Sequence, residues 1–146
     1  MVTVEEAIET AKERIGVNLK VALKKELDKV LGNNRSGKNR WPRIANQITS
    51  ALNRSIDFDV RGTQVIIHMN DYAKYLEWGT GVDGPEGKLI KAKTGKVMSW
   101  GSGNNKRFSK STRGMRPSPF IRPVFHQQFL DLVIDSLVFE LKKVTL

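Results

Sequence analysis

The sequence predicts an α+β fold: a small, mainly antiparallel β-sheet packed by long N-terminal and C-terminal helices, with a flexible basic loop. Apolar residues at helical spacing open the chain, period-two alternation occupies its middle, and a largely apolar run behind a group of prolines closes it. At 146 residues the chain is read as one domain, 1–146, with 82–114 as a flexible basic insert. A chain of this length buries roughly two thirds of its unfolded surface and needs no covalent staple.

Thr3 followed by Glu6 forms a capping box, in which each side chain satisfies a backbone donor at a helix start. Val4, Ala7, Ile8, Ala11, Ile15, Leu19, Ala22, Leu23, Leu27, Val30 and Leu31 then recur at the period of an amphipathic helix. Its length is about 40 Å at 1.5 Å per residue, with Gly16 as a place to bend. Gly32-Asn33-Asn34 supplies the expected stop. After a basic loop and Trp41-Pro42, a shorter helix carries Ile44, Ala45, Ile48, Ala51 and Leu52 inward.

The period then changes to two. Ile56, Phe58 and Val60 alternate with Asp57 and Asp59, and Gln64–Met69 follows Arg61-Gly62-Thr63, which reads as a β-hairpin. Asp71 stands where it can cap a short helix through Tyr72, Ala73, Tyr75, Leu76 and Trp78, stopped by Gly79-Thr80-Gly81. Lys88–Ile90 and Lys96–Trp100 are expected as two strands around Thr94-Gly95, and Gly101–Gly114 as a long polar loop. A final helix is expected from Pro119 to about Val144, with Pro123 in its first turn. Its residues Val124, Phe125, Phe129, Leu130, Leu132, Val133, Ile134, Leu137, Val138, Phe139 and Leu141 cover more than one side, which points to burial on several faces and to self-association.

The formal net charge is +10. Residues 1–31 carry six acids and six bases, and residues 123–146 three acids and two bases. Residues 86–122 hold ten bases against the single acid Glu86, a concentration that attracts a polyanion. No cysteine is present, which excludes disulfides and thiolate metal sites and suits a reducing cytoplasm. The acidic start has no signal-peptide pattern, and no apolar run approaches a membrane span, so a soluble protein with no membrane partner is expected.

Several patterns that suggest chemistry give way to plainer readings. Gly32 to Lys38 has the Gly-x4-Gly-Lys frame of a phosphate loop. It follows a helix instead of a strand, and Asn39 replaces the magnesium-binding hydroxyl, so a solvated basic turn is the reading. His68 and His126 have no second ligand at metal spacing, and Asp57 and Asp59 belong to the solvated face of a hairpin. No serine sits in a nucleophile elbow. The expectation is a non-enzymatic protein without cofactor or metal. In the basic stretch only Trp100 and Phe108 interleave with the cations, which favours phosphate contact over base stacking.

Two segments together resemble a known family. Ser50-Ala51-Leu52-Asn53-Arg54-Ser55-Ile56 leads through the hairpin to Tyr72-Ala73-Lys74-Tyr75-Leu76-Glu77-Trp78-Gly79-Thr80-Gly81; later comes Gly114-Met115-Arg116-Pro117-Ser118-Pro119-Phe120-Ile121-Arg122-Pro123-Val124-Phe125. This order is similar to the tail-component family of tailed bacteriophages, also called tail-completion or neck proteins, over residues 50–125. It departs from that pattern at Pro123-Val124, where alanine often follows the proline, and in its lysine-rich insert.

The resemblance implies a structural subunit of the virion's head–tail junction, assembled in the host cytoplasm. It implies a homo-oligomeric ring, sixfold to match a tail tube or twelvefold as in a connector, around the channel for genomic DNA. Neighbouring connector or stopper and tail-terminator or tail-tube proteins are the expected partners. Tyr72, Tyr75, Glu77, Trp78, Gly79, Thr80, Pro117, Pro119, Phe120 and Pro123 are the expected structural motif. The aromatic three anchor the short helix to the sheet, Phe120 acts as a packing peg, and Glu77 pairs with Arg116 or Arg122. Lys88, Lys91, Lys93, Lys96, Lys106, Arg107, Lys110 and Arg113 are candidate contacts for DNA or a partner. The alternative is a stand-alone, sequence-independent nucleic-acid-binding protein using the basic 86–122 region.

Overall fold

The computed structural model describes residues 1–35, 44–94, 97–100 and 103–144, and these divide into two compact units. The first comprises Met1–Asn70 and Phe120–Leu146, the second Asp71–Pro119. The fold is α+β; among the described residues the named strands form three separate antiparallel pairs rather than one sheet, and a lone parallel bridge links Val2 to Val144.

The spine of the first unit is α1, Val4–Arg35. The capping box is formed: the Thr3 N–H donates to Glu6 Oε2 at 2.9 Å, and the Glu6 N–H donates to Thr3 Oγ1 at 3.2 Å. Ala7, Ala11, Leu19, Ala22, Leu23 and Leu27 are buried, each larger side chain contributing roughly 1.5–3 kcal/mol. One expectation is corrected. The helix continues through Gly32 to Arg35, because one glycine near a helix end costs only about 1 kcal/mol. Gly16 serves a close approach, for a Cβ there would overlap the Phe58 ring.

The second helix, α2 (Ile44–Ser55), buries Leu52, and Asn53 Nδ2 donates to Asp28 Oδ1 of α1 at 3.1 Å. Trp41, Pro42, and Lys38 of the phosphate-loop frame lie outside the described residues. Strands β1 (Asp57–Arg61) and β2 (Gln64–His68) pair from Asp57↔His68 to Arg61↔Gln64. Gly62 opens the two-residue loop at φ +56°, and no described non-glycine residue has positive φ, as a II′ hairpin requires. Phe58 and Val60 are half-buried toward α1, whereas Asp57 and Asp59 are exposed.

The last helix begins at Ile121, not Pro119. It comprises a first turn α4 (Ile121–Pro123), a π-helical turn (Val124–Gln128), and α5 (Phe129–Leu141). Pro123 occupies the first turn as expected. The wide turn holds one extra residue, which brings Val124 to within roughly 20° of the Ser136 face; an uninterrupted α-helix would leave them roughly 120° apart. Val124, Ser136 and Glu140 are accordingly buried in line.

α5 runs antiparallel to α1. Asn18 Nδ2 donates to Ser136 Oγ at 3.1 Å, and Arg14 Nε donates to Glu140 Oε1 at 2.7 Å. Leu132, Val133 and Leu137 are half-buried, but Phe125, Phe129, Leu130, Ile134, Val138, Phe139 and Leu141 remain exposed. The expected burial on several faces is not achieved within one chain. No described helix is long and apolar enough to cross a membrane.

Candidate functional site

The second unit opens with α3, Tyr72–Trp78. Asp71 holds the N-cap position, but its backbone is already helical (φ −54°, ψ −22°) and its side chain makes no capping bond. A cap needs extended backbone to aim its oxygen at the first turn, so that expectation is corrected. The aromatic stripe is corrected too. Tyr72 (51% exposed), Tyr75 (45%) and Trp78 (51%) face outward, while Ala73 and Glu77, four residues apart, face inward, with Glu77 only 2% exposed. The helix is amphipathic in the reverse of the expected sense. A carboxylate that deep needs a donor or cation, so its pairing with Arg116 or Arg122 stands as a proposal.

Gly79 ends α3 at φ +75°, and its N–H donates to the Tyr75 carbonyl at 2.9 Å. The chain then meets the segment that returns from the insert. The Thr80 N–H donates to the Met115 carbonyl at 2.8 Å, the Met115 N–H to the Thr80 carbonyl at 3.2 Å, and the Val82 N–H to the Arg113 carbonyl at 2.8 Å. Thr80 Oγ1 accepts a further bond from the Met115 N–H at 2.9 Å, and the Ser118 N–H donates to the Leu76 carbonyl at 2.7 Å. Glycine is required by this clasp: a Cβ on Gly81 would strike the Arg113 carbonyl, and one on Gly114 (φ +85°) the Thr80 carbonyl.

The two segments that carry the family resemblance are thereby joined. Of the expected motif residues, Gly79 and Thr80 build the clasp. Pro117 is exposed, Pro119 and Pro123 are half-buried, and Phe120 is fully buried, as a packing peg should be. The positive φ at both Gly79 and Gly114 could have been suspected from sequence; the pairing across 35 residues could not.

Beyond the clasp, the insert forms an interrupted hairpin. β3 (Ile90–Lys91) pairs with β6 (Ser111–Thr112), and β4 (Met98–Trp100) with β5 (Arg107–Ser109). The expected pairing of Lys88–Ile90 with Lys96–Trp100 is therefore corrected: each pairs with the returning strand. The Ala92 N–H donates to the Lys110 carbonyl at 3.2 Å, extending the first ladder by one bond. A turn at Gly103–Asn105 lies near the tip.

The second unit carries ten bases and four acids. Lys88, Lys91, Lys93, Lys106, Lys110 and Arg113 are exposed, and none of their side chains makes an ion pair or hydrogen bond among the described residues. Arg107 is placed opposite Trp100 by its backbone, and Lys96 lies outside the described residues. Cations displayed without counter-charges on a narrow arm are suited to a phosphate backbone or an acidic surface.

In the first unit several carboxylates are paired. Lys20 holds the Asp57 carboxyl below the ordinary range through a hydrogen bond at 2.9 Å, helped by the Phe58 N–H. His68, 2.9 Å from Asp59, does the same there with Arg61. Lys143 and then Arg14 lower Glu140, outweighing its burial. Among the described residues no three His, Asp or Glu side chains gather as a metal site. Comparison with protein-family models, curated proteins and solved structures finds no match for this chain.

Proposed function

We propose that this chain is a structural subunit of the phage head–tail junction, a neck or tail-completion protein that forms a ring around the DNA channel and joins connector to tail. The observation that carries the reading is the Thr80–Met115 clasp. Two segments resembling one family, distant in sequence, meet in a single hydrogen-bonded joint at the base of the basic hairpin. The subunit performs no chemistry; it presents surfaces. Its bare leucines on α5 suit contact with like subunits, and its arm suits contact with DNA or a neighbouring ring.

Native mass and electron microscopy of the protein alone and in its particle test this. Closed rings of six or twelve copies at the junction are expected; a monomer at all concentrations and particles that join without the protein would overturn it. Lys91 and Ser111 are ladder partners, so replacing 92–110 by an Asn-Gly turn should leave a folded subunit that fails to join particles.

A second reading, stand-alone nucleic-acid binding without sequence preference, is favoured by the uncompensated cations of the arm. It predicts tight, salt-sensitive binding of duplex DNA by the isolated protein at physiological salt, whereas the neck reading predicts weak binding by one subunit.

A further inference from the structure

The α1–α5 pair has a fixed register. Arg14 meets Glu140, Asn18 meets Ser136, and Gln128 Nε2 donates to Glu26 Oε1 at 3.2 Å, so every step forward along α1 is matched by an equal step back toward Gln128. On either side of this line lies an uncovered apolar patch. Val17 and Val21 share the side of α1 that carries Arg14, three and seven residues on. The Arg14 guanidinium lies 3.9 Å from the Phe139 ring centroid, so Val17, Val21 and Phe139 border the same edge of the helix pair. All three are exposed, Val21 to 59%.

The other patch is on α5. Leu130, Ile134, Leu137 and Leu141 follow spacings of four, three and four, the seam that a second helix fills with interlocking side chains. At about 100° per residue, the seam lies roughly a quarter turn from the Ser136–Glu140 line, and Phe139 roughly a quarter turn the other way. Leu130 is 68% exposed, Ile134, Val138 and Leu141 are exposed, and Leu137 is half-buried. Unlike patches on opposite edges of one layer cannot cover each other within a subunit. They are covered when the edge of one copy meets the opposite edge of the next, the head-to-tail contact from which rings are built.

Charge favours the same partner. Asp131 borders the seam, three residues before Ile134, exposed and without an ion pair among the described residues. Lys25 is exposed one turn beyond Val21, and Lys143 stands 4.5 Å from the Phe139 centroid on the opposite edge. Pairing of the seam with its own copy would leave Val17, Val21 and Phe139 bare. We infer that the contact between neighbouring subunits is the α5 seam of one copy, centred on Ile134, seated on the Val17–Val21–Phe139 edge of the next. Closure of that contact into a ring rests on the proposed function; the contact itself does not.

Cysteine-free protein makes the test direct. Ile134→Cys and Val21→Cys variants of the full chain are treated with a short bismaleimide, separately, mixed, and combined in one chain. Neither single variant should cross-link to itself, the mixture should give a covalent dimer, and the double variant a ladder ending at the ring size. Self-cross-linking of Ile134→Cys would overturn the inference in favour of a two-fold pair. Rings by native mass with no product from the mixture would overturn it and leave the neck reading standing. As a second measurement, Ile134→Asp should reduce the native mass to one subunit with the helical circular-dichroism signal retained; unchanged oligomers would also overturn it.

Discussion

Thr80 and Met115 exchange backbone hydrogen bonds, at 2.8 and 3.2 Å, and so close the base of the basic arm. Gly114 stands beside that exchange at φ +85°, where a Cβ would strike the Thr80 carbonyl, whereas Gly62 at φ +56° has open space around it. Alanine at positive φ costs roughly 1–2 kcal/mol from backbone strain alone. Gly62→Ala should lose about that much in urea unfolding, and Gly114→Ala clearly more. Equal losses would mean that the clasp adds nothing to stability.

Gly16 lies inside a long helix, where Gly→Ala ordinarily stabilises by about 1 kcal/mol. The Phe58 ring occupies the space its Cβ would need, so Gly16→Ala should instead destabilise by about 1–3 kcal/mol. In a Phe58→Leu background the penalty should shrink. A stabilising Gly16→Ala in both backgrounds would show that the ring moves aside freely.

The Glu140 carboxyl is held below the ordinary glutamate range by Lys143 and Arg14. Its contribution is therefore fully present above that range and is lost as pH falls through the lowered value. Glu140→Gln should lower the urea midpoint at neutral pH and make the acid limb of stability shallower. Asp57 and Asp59, lowered in the same direction by other partners, should keep part of that limb. Identical pH profiles for the variant and the parent would remove Glu140 from this role.

Replacing Lys88, Lys91, Lys93, Lys106 and Lys110 by serine should weaken whatever duplex binding the protein has, equally across sequences. The slope of log affinity against log salt should shrink by about 0.9 for each phosphate contact removed. An unchanged slope, together with lost particle joining, would assign the arm to a protein neighbour.

The long helix and the first hairpin were legible because each repeats one period over many residues, and the Thr3–Glu6 box marks its own helix start. The faces of α3 were not. Seven residues hold two competing stripes, and the aromatic one looks like core until the buried pair proves to be Ala73 and Glu77. The ladders of the insert escaped notice because strands of two or three residues show no alternation, and their partners lie beyond Gly101. The π-helical turn defeats a helical wheel drawn across Val124–Gln128, since everything after it is rotated. Of the candidate site, the cations were legible as composition; the clasp that organises them was not.

The bare leucines of α5 sit on a chain with net charge +10. At low ionic strength, mutual repulsion holds copies apart against the pull of those leucines. Physiological salt shortens that repulsion to a range of about 8 Å, letting greasy surfaces meet, while the same ions loosen any grip on a polyphosphate. Oligomer growth and nucleic-acid retention should therefore respond to added salt with opposite signs, and a titration in sodium chloride alone can separate the two behaviours.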